Sequence, residues 1–353
     1  MGKTILITGG AGFVGSSLAL HLKAESPQDR VISFDNLRRR GSELNIPRLK
    51  ANGIEFIHGD VRSAADVGGL PPFDLLIECS AEPSVMAGYG ADARYVVDTN
   101  LMGTVNCLEA AAQYKADVLF MSTSRVYPIA AINELCVESE KGFTLREGAT
   151  PGATKMGIAE DFPLAGIRSL YGATKLASEL LIAEYAEMHG LRAVVNRCGV
   201  IAGPWQMGKT DQGFVLLWIA RHHWELPLSY IGFGGKGSQV RDVLHIDDLC
   251  ELIGTQVGAM EELQGKTFNV GGGAANSASL RGFTELSASI TGNRITVASD
   301  PAERPGDLKL YVTDNSRVSE ATGWAPRRNL PTLVADSYQW LLDNEDLLRP
   351  ILS

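Results

Sequence analysis

The sequence predicts an α/β protein, with a doubly wound parallel sheet followed by a smaller C-terminal α/β lobe. Apolar runs of strand length alternate with helical patterns up to about residue 200, and a glycine-rich turn follows the first run directly. Beyond that point the pattern loosens into segments separated by Gly, Pro and Trp. Unbroken apolar strands separated by helices indicate a parallel sheet that helices cover on both faces.

The elements follow from these periodicities. Strands are predicted at 3–8, 30–34, 54–58, 75–79, 117–122 and 192–197. Helices are predicted at 13–24, 96–114 and 171–190.

The length of 353 residues favours two lobes. We expect the first domain at 1–200, with an insertion at 128–170, and mainly the second lobe at 201–353. Segments near 240–275 are expected to return to the first domain. Residues 196–203 and 268–273 are expected to add strands to its sheet.

The composition excludes several classes of protein. A net charge of −9, from 32 basic and 41 acidic residues, disfavours a nucleic-acid binder. No apolar run reaches the ~18 residues of a membrane span, and the N-terminus lacks the features of a signal peptide. Five scattered cysteines, without metal-ligand spacing, indicate free thiols in a reducing compartment, so we expect a cytoplasmic protein without a metal.

The turn after the first strand carries the spacing Gly9-x-x-Gly12-x-x-Gly15, with Phe13 and Val14 between the last two glycines. Such glycines allow a tight turn, a close approach of backbone to a pyrophosphate, and packing of helix on strand. Because the helix N-terminus offers unpaired N–H groups to phosphates, the pattern predicts a dinucleotide-binding domain of the Rossmann type.

Acidic residues after the second and third strands indicate which dinucleotide is bound. Asp35, followed by Asn36, stands where a carboxylate binds a ribose 2′-hydroxyl, which favours NAD. The run at 38–40 is Arg-Arg-Arg, which could instead accept the 2′-phosphate of NADP, but Asp35 would repel that group. Asp60 and Val61 follow the third strand, where an Asp could reach the adenine.

Tyr171 and Lys175 open a predicted helix and lie on one of its faces, since they are four residues apart. A nearby ammonium lowers the pKa of a phenol, so this pair is suited to general-base chemistry.

These motifs, together with Ser122-Thr123-Ser124, Val126-Tyr127, Gly203-Pro204, Arg241-Asp242 and Arg304-Pro305-Gly306-Asp307, stand in the order found in the extended short-chain dehydrogenase/reductases. The chain resembles that family, the NAD-dependent sugar-nucleotide epimerases and dehydratases, over essentially its whole length. The resemblance implies a nucleotide-sugar substrate, and a homodimer formed through the helices 96–114 and 171–190.

The resemblance also implies roles for single residues. Thr123 would hydrogen-bond the reacting hydroxyl, Tyr171 would remove its proton while a hydride passes to NAD, and Lys175 would hold the nicotinamide ribose. Further cofactor contacts are expected from Ala81 and Asn100. Substrate contacts are expected from Ser124, Arg125, Asp211, Gln212, Gln239, Arg241 and Arg304, of which Arg241 and Arg304 would clamp the pyrophosphate.

Two features bear on the reaction within the family. The 4,6-dehydratases carry Thr-Asp-Glu where this chain has Thr123-Ser124-Arg125, which disfavours dehydration. The stretches 210–215, 235–245 and 269–277, and the insertion, resemble the CDP-paratose 2-epimerase subgroup. That implies epimerisation at C2 of a CDP-hexose, with the insertion covering the sugar as a lid. A UDP-sugar 4-epimerase, a nucleotide-sugar dehydrogenase and a non-catalytic NAD-binding regulator are the alternatives.

Overall fold

The computed structural model describes residues 2–89, 92–146, 148, 150–207 and 213–352. The strands are β1 (Thr4–Thr8), β2 (Arg30–Asp35), β3 (Glu55–His58), β4 (Leu75–Glu78), β5 (Asp117–Thr123), β6 (Cys136–Ser139), β7 (Gly142–Leu145), β8 (Ala193–Cys198), β9 (Val200–Ala202), β10 (Leu228–Ile231), β11 (Val240–His245), β12 (Thr267–Val270), β13 (Ser277–Ser279), β14 (Val297–Asp300) and β15 (Leu310–Tyr311).

The helices are α1 (Phe13–Glu25), α2 (Ile46–Ala51), α3 (Ala64–Gly68), α4 (Ala93–Val97), α5 (Gly103–Tyr114), α6 (Ile129–Glu134), α7 (Leu170–His189), α8 (Phe214–His223), α9 (Ile246–Gly258), α10 (Met260–Leu263), α11 (Leu280–Thr291), α12 (Ser316–Thr322), α13 (Leu330–Asp343) and α14 (Glu345–Leu352). Within the described ranges, none of them combines the length and the apolar character that a membrane span requires.

The central sheet has seven strands in the order β12-β8-β5-β4-β1-β2-β3. β1 pairs in parallel with both β2 and β4. The strand order therefore reverses between β1 and β4, and ligands of such sheets bind at the carboxyl ends of the strands near this point. The predicted doubly wound parallel sheet is confirmed.

Apolar side chains explain why the helices cover this sheet. Ile32, Phe34 and Leu76 of the strands pack in one buried cluster with Leu108 of α5 and Ile182 of α7. Each fully buried side chain of this kind contributes about 1.5–3 kcal/mol.

The predicted helix at 96–114 differs from the observed one. It begins earlier, as α4, and a π-helical turn at Asp98–Met102 separates α4 from α5. The wider turn places Asn100 inward, where it is fully buried among polar partners.

Two compact units can be separated by their internal packing. The first comprises 1–126, 170–197 and 249–268, and the second comprises 127–169, 198–248 and 269–353. The domain limits predicted from the sequence stay a prediction. Residues 127–169, expected as an insertion in the first domain, pack with the second unit.

In the second unit, β11 pairs with β9, β13 and β15. The prediction that 196–203 adds a strand to the first sheet is wrong for its second half, since Val200–Ala202 is β9. The chain leaves β8 at Gly199, whose N–H donates to the Val270 carbonyl at 2.8 Å. The strand predicted at 268–273 is confirmed in part, because β12 forms the edge of the seven-stranded sheet.

The segment 127–169 is built into the core of the second unit. Its hairpin β6–β7 contributes Phe143, which packs with Val240, Leu310 and Val312. The Tyr127 hydroxyl donates to Asn269 Oδ1 at 2.8 Å. These contacts make the hairpin part of the unit and not a surface excursion.

Replacing Tyr127 by Phe tests the hydrogen bond between the Tyr127 hydroxyl and Asn269. Tyr127 is 1% exposed, and the variant deprives the buried Asn269 Oδ1 of its hydroxyl donor. We expect the free energy of unfolding to fall by about 1–3 kcal/mol, as measured by urea denaturation.

Tyr89→Phe is the matched control, because Tyr89 is 47% exposed. Its free energy of unfolding should stay within about 0.5 kcal/mol of the parent. Equal effects of the two substitutions would contradict the assigned role of the Tyr127 hydroxyl.

Candidate active site

The turn between β1 and α1 depends on glycine at several positions. Gly9 has φ +63°, and a Cβ there would lie 2.9 Å from the carbonyl carbon of Cys79. A Cβ on Gly15 would lie 2.3 Å from the Gly9 oxygen. The Gly12 N–H donates to that same oxygen at 2.9 Å. No described side chain caps α1, which begins at Phe13, so its first N–H groups are left for an anion.

Asp35 at the end of β2 is tied to the glycine turn. Its Oδ2 accepts the N–H of Ala11 at 3.1 Å, and its Oδ1 accepts that of Leu37 at 2.7 Å. Burial raises the pKa of Asp35, and these backbone hydrogen bonds oppose the rise. A carboxylate held here suits a ribose 2′-hydroxyl and repels a 2′-phosphate.

The neighbouring arginines are engaged by protein groups. Arg62 pairs with Asp60 at 2.6 Å and is the main cause that lowers the pKa of Asp60 to about 2. Asn36 Nδ2 donates to Asp60 Oδ2 at 3.0 Å. The guanidinium carbons of Arg38 and Arg62 lie 4.1 and 5.0 Å from the centroid of the Tyr95 ring. Arg38 therefore stacks on an aromatic ring, a favourable cation–π geometry.

The end of β5 and the start of α7 meet at Gly172. A Cβ on Gly172 would lie 2.0 Å from the Arg125 carbonyl oxygen, so only glycine permits this approach. The contact places the backbone of Tyr171, the preceding residue, close to the turn Ser124–Val126, which directly follows Thr123. Thr123 Oγ1 accepts the Arg125 N–H at 3.2 Å, and the side chains of Thr123 and Ser124 are largely buried.

Lys175 lies one turn after Tyr171 on α7 and is buried against the sheet. Its Nζ is 3.4 Å from Glu78 Oε2, and both side chains are at most 2% exposed. The same Nζ lies 4.3 Å from the centroid of the Phe120 ring. Burial raises the pKa of Glu78, and the charge of Lys175 opposes that rise.

A second buried ion pair follows one turn further along α7. Arg197 donates to Glu179 from Nη2 at 2.8 Å and from Nε at 3.1 Å. The Ser122 hydroxyl donates to Glu179 as well. Tyr171, Lys175 and Glu179 are four residues apart and therefore share one stripe of α7, in which Lys175 and Glu179 are paired with residues of the sheet.

Ala81 and Asn100, both predicted to contact the cofactor, lie close to each other at the turn after β4. Asn100 Nδ2 donates to the Glu82 carbonyl and to Thr174 Oγ1, and its Oδ1 accepts the Glu82 N–H. Asn100 therefore holds the turn after β4, which contains Ala81, against α7.

The predicted substrate contacts downstream of β9 belong to the second unit. Arg241 Nη2 donates to Asp307 Oδ1 at 2.9 Å and to the Leu308 carbonyl at 2.8 Å, so its guanidinium is fixed in place. Gln239 Nε2 donates to a β10 carbonyl at 2.7 Å, and Arg304 is half-buried. Asp211 and Gln212 lie outside the described residues.

The sequence analysis missed Glu78. The available signal was an ionisable residue at the end of the apolar run Leu75–Glu78, in a strand that is buried along its whole length. A carboxylate in such a strand needs a partner, which here is Lys175.

These residues fit a dinucleotide. The glycine turn excludes side chains where a pyrophosphate would lie, and Asp35 borders that turn. Lys175 keeps donors beyond Glu78 for a ribose, since an ammonium has three. The residues predicted to hold the cofactor stay a prediction: Gly9, Gly12, Phe13, Val14, Gly15, Asp35, Asn36, Asp60, Val61, Ala81, Asn100, Tyr171 and Lys175. In the described part of the chain, no group of three or more His, Cys, Asp or Glu side chains could hold a metal ion.

Gly172→Ala tests the approach of α7 to β5. The added methyl would overlap a backbone oxygen that cannot rotate away, so the free energy of unfolding should fall by about 1–3 kcal/mol. Chemical denaturation measures this change.

Ala173→Ser is the control, since Ala173 is exposed on the same helical turn. It should lower the free energy of unfolding by at most about 0.7 kcal/mol. A destabilisation by Gly172→Ala no larger than this would show that the contact is not tight.

Comparisons with known proteins agree with this geometry. Residues 5–271 match the model of the NAD dependent epimerase/dehydratase family. The chain is 30% identical to CDP-paratose 2-epimerase of Salmonella typhi over 95% of this chain and 98% of that protein. It is 28% identical to dTDP-glucose 4,6-dehydratase of Streptomyces antibioticus over 98% and 95%.

The chain is also similar to a solved structure of an NAD-bound epimerase. It is a Tyr-to-Phe variant of UDP-glucuronic acid 4-epimerase from Bacillus cereus, in complex with NAD and a fluorinated UDP-glucuronic acid. It is similar with a TM-score of 0.79 and 26% identity, over 96% of this chain and 99% of that one. The expected family is therefore confirmed: the chain belongs to the NAD-dependent epimerase/dehydratase family and is an NAD-dependent enzyme of the nucleotide-sugar class.

Proposed function

We propose that this enzyme epimerises a nucleotide-diphosphate sugar by transient oxidation to a keto-sugar, at C2 of a CDP-hexose. The observation that carries the proposal is the turn after β5. Thr123 is the last residue of β5, and Ser124 and Arg125, which follow it, occupy the positions where the 4,6-dehydratases have carboxyl groups. The site thus offers groups for removing a hydroxyl proton, but lacks that carboxyl pair for eliminating water.

Each reacting group has a separate task in this proposal. Thr123 orients the sugar hydroxyl by a hydrogen bond, and Tyr171 accepts its proton. Lys175 stabilises the phenolate of Tyr171 by its charge and holds the ribose of the cofactor. NAD, when bound, supplies the acceptor that takes up two electrons and returns them within one turnover.

Arginines of the second unit are proposed to hold the pyrophosphate of the substrate. Arg241 has its guanidinium fixed by Asp307, so little side-chain freedom would be lost on binding an anion. Arg304 would add a second cation, with Gln239 as a polar contact. Firm anchoring of the nucleotide would let the keto-sugar turn over before reduction on its other face.

The choice of sugar rests on similarity. Identity to CDP-paratose 2-epimerase is 30%, and the dTDP-glucose dehydratase follows at 28%. The difference is small, so the absent carboxyl pair at 124 and 125 carries more weight than the identity. A UDP-sugar 4-epimerase is the second candidate, favoured by the structural similarity to UDP-glucuronic acid 4-epimerase.

We further propose a cytoplasmic homodimer. The helices expected at its interface expose apolar side chains, since Leu180 and Met188 of α7 are 65% and 70% exposed. Burying them against a second copy would remove that surface from water.

Tyr171→Phe tests the proposed reaction. The enzyme should be isolated with bound NAD, and incubation with CDP-paratose should give the C2 epimer without net NADH. The variant should lose 10²–10⁴-fold in kcat while retaining NAD, because only the proton acceptor is removed.

Tyr185→Phe is the matched control on the same helix, where the hydroxyl contacts Glu109 at the surface. It should turn over like the parent. Full activity of Tyr171→Phe would refute the assignment of the base.

Deuterated substrates distinguish the candidate positions. Epimerisation at C2 predicts a primary isotope effect with C2-deuterated CDP-paratose and retention of the label, because the hydrogen returns to the same carbon. An isotope effect at C4 alone would favour the 4-epimerase.

A further inference from the structure

Glu78 is a buried carboxyl group for which the proposed reaction has no task. It ends β4, the strand next to β1 at the point where the strand order reverses. Its Oε1 has no hydrogen-bond partner among the described atoms, although the residue is only 1% exposed. An ionised side chain in such surroundings persists only where another charge compensates it.

That other charge is Lys175. The distance of 3.4 Å between Nζ and Glu78 Oε2 is longer than the 2.7–2.9 Å of a strong charge-assisted hydrogen bond. The ammonium is therefore held by charge more than by hydrogen bonding. The Phe120 ring, 4.3 Å away, supplies a second attraction on the side of the sheet.

In the proposed reaction, the charge of Lys175 favours the phenolate of Tyr171. The two residues share one face of α7, four positions apart. An ammonium that moves toward the phenol favours the phenolate, and a carboxylate that holds it back has the opposite effect.

We propose that Glu78 is the positioning residue for Lys175: its carboxylate holds the ammonium toward the sheet and thereby limits how strongly Lys175 favours ionisation of Tyr171. This inference rests on the proposed roles of Tyr171 and Lys175. Glu179, the buried carboxylate one turn further along α7, cannot replace Glu78, because Arg197 of β8 neutralises it.

The test is a titration of Tyr171 in the NAD-bound enzyme. Tyrosinate absorbance is followed against pH, and the same curve for the Tyr171→Phe variant is subtracted, so that the difference reports Tyr171 alone. Glu78→Gln keeps the shape of the side chain and removes its charge. The titration of Tyr171 should then move to lower pH by about one unit.

Two matched variants show whether the effect is specific. Glu78→Asp retains the charge and should restore a titration close to that of the parent. Glu179→Gln removes a buried carboxylate from α7, the helix that carries Tyr171. It should not change the pH at which Tyr171 titrates, even if it lowers the melting temperature. An unchanged or upward-shifted titration in Glu78→Gln would overturn the proposal.

A Lys175→Met background separates an effect through Lys175 from a direct one. There the Glu78→Gln change should no longer move the titration of Tyr171, because the positioned group is absent. This double variant contains neither buried charge. The two single variants, which each keep one of the charges, are first checked for a cooperative melting transition. An equal shift in both backgrounds would show that Glu78 does not act through Lys175.

The titration requires no turnover, so its failure is distinct from failure of the proposed function. Full activity of Tyr171→Phe would refute the assignment of Tyr171 as the base, but the titration of Tyr171 would remain measurable. An unmoved titration with an inactive Tyr171→Phe would refute only the role of Glu78.

Discussion

Charge buried between α7 and the central sheet is the constraint on which the site depends. The helix carries the ammonium of Lys175 and the carboxylate of Glu179 at successive turns, and both are buried against the strands. Glu78 and Arg197 on the strands compensate Lys175 and Glu179. Removing one partner of such a buried pair costs about 3–5 kcal/mol, so each pair holds α7 in register with the sheet.

The register in turn places the reacting groups. Because Gly172 lacks a side chain, the first turn of α7 lies on the carbonyl of Arg125. The groups proposed to act on the sugar hydroxyl are thereby brought together by backbone packing and need no flexible loop. The glycine turn after β1 follows the same principle, since Gly9 and Gly15 allow backbone to approach backbone where a side chain would collide.

Local pattern was enough to predict the sheet and the glycine turn, because the strands and the turn depend on short-range spacing. Glu78 escaped prediction, since its role depends on a residue 97 positions away that only the fold brings near. The strand at Val200–Ala202 was assigned to the wrong sheet for the same reason. Periodicity identifies a strand, whereas its partners depend on long-range packing.

The two units share one chain that crosses between them five times, at residues 126, 169, 197, 248 and 268. Neither unit can therefore be produced as one contiguous fragment. On the ribosome, β1 emerges at residue 4, but the edge strand of its sheet is complete only after residue 270. Between the synthesis of β8, which ends at Cys198, and that of β12, which ends at Val270, the nascent sheet consequently has an unpaired β8 edge. Unpaired edges recruit other strands, so truncation before β12 should make the chain prone to aggregation.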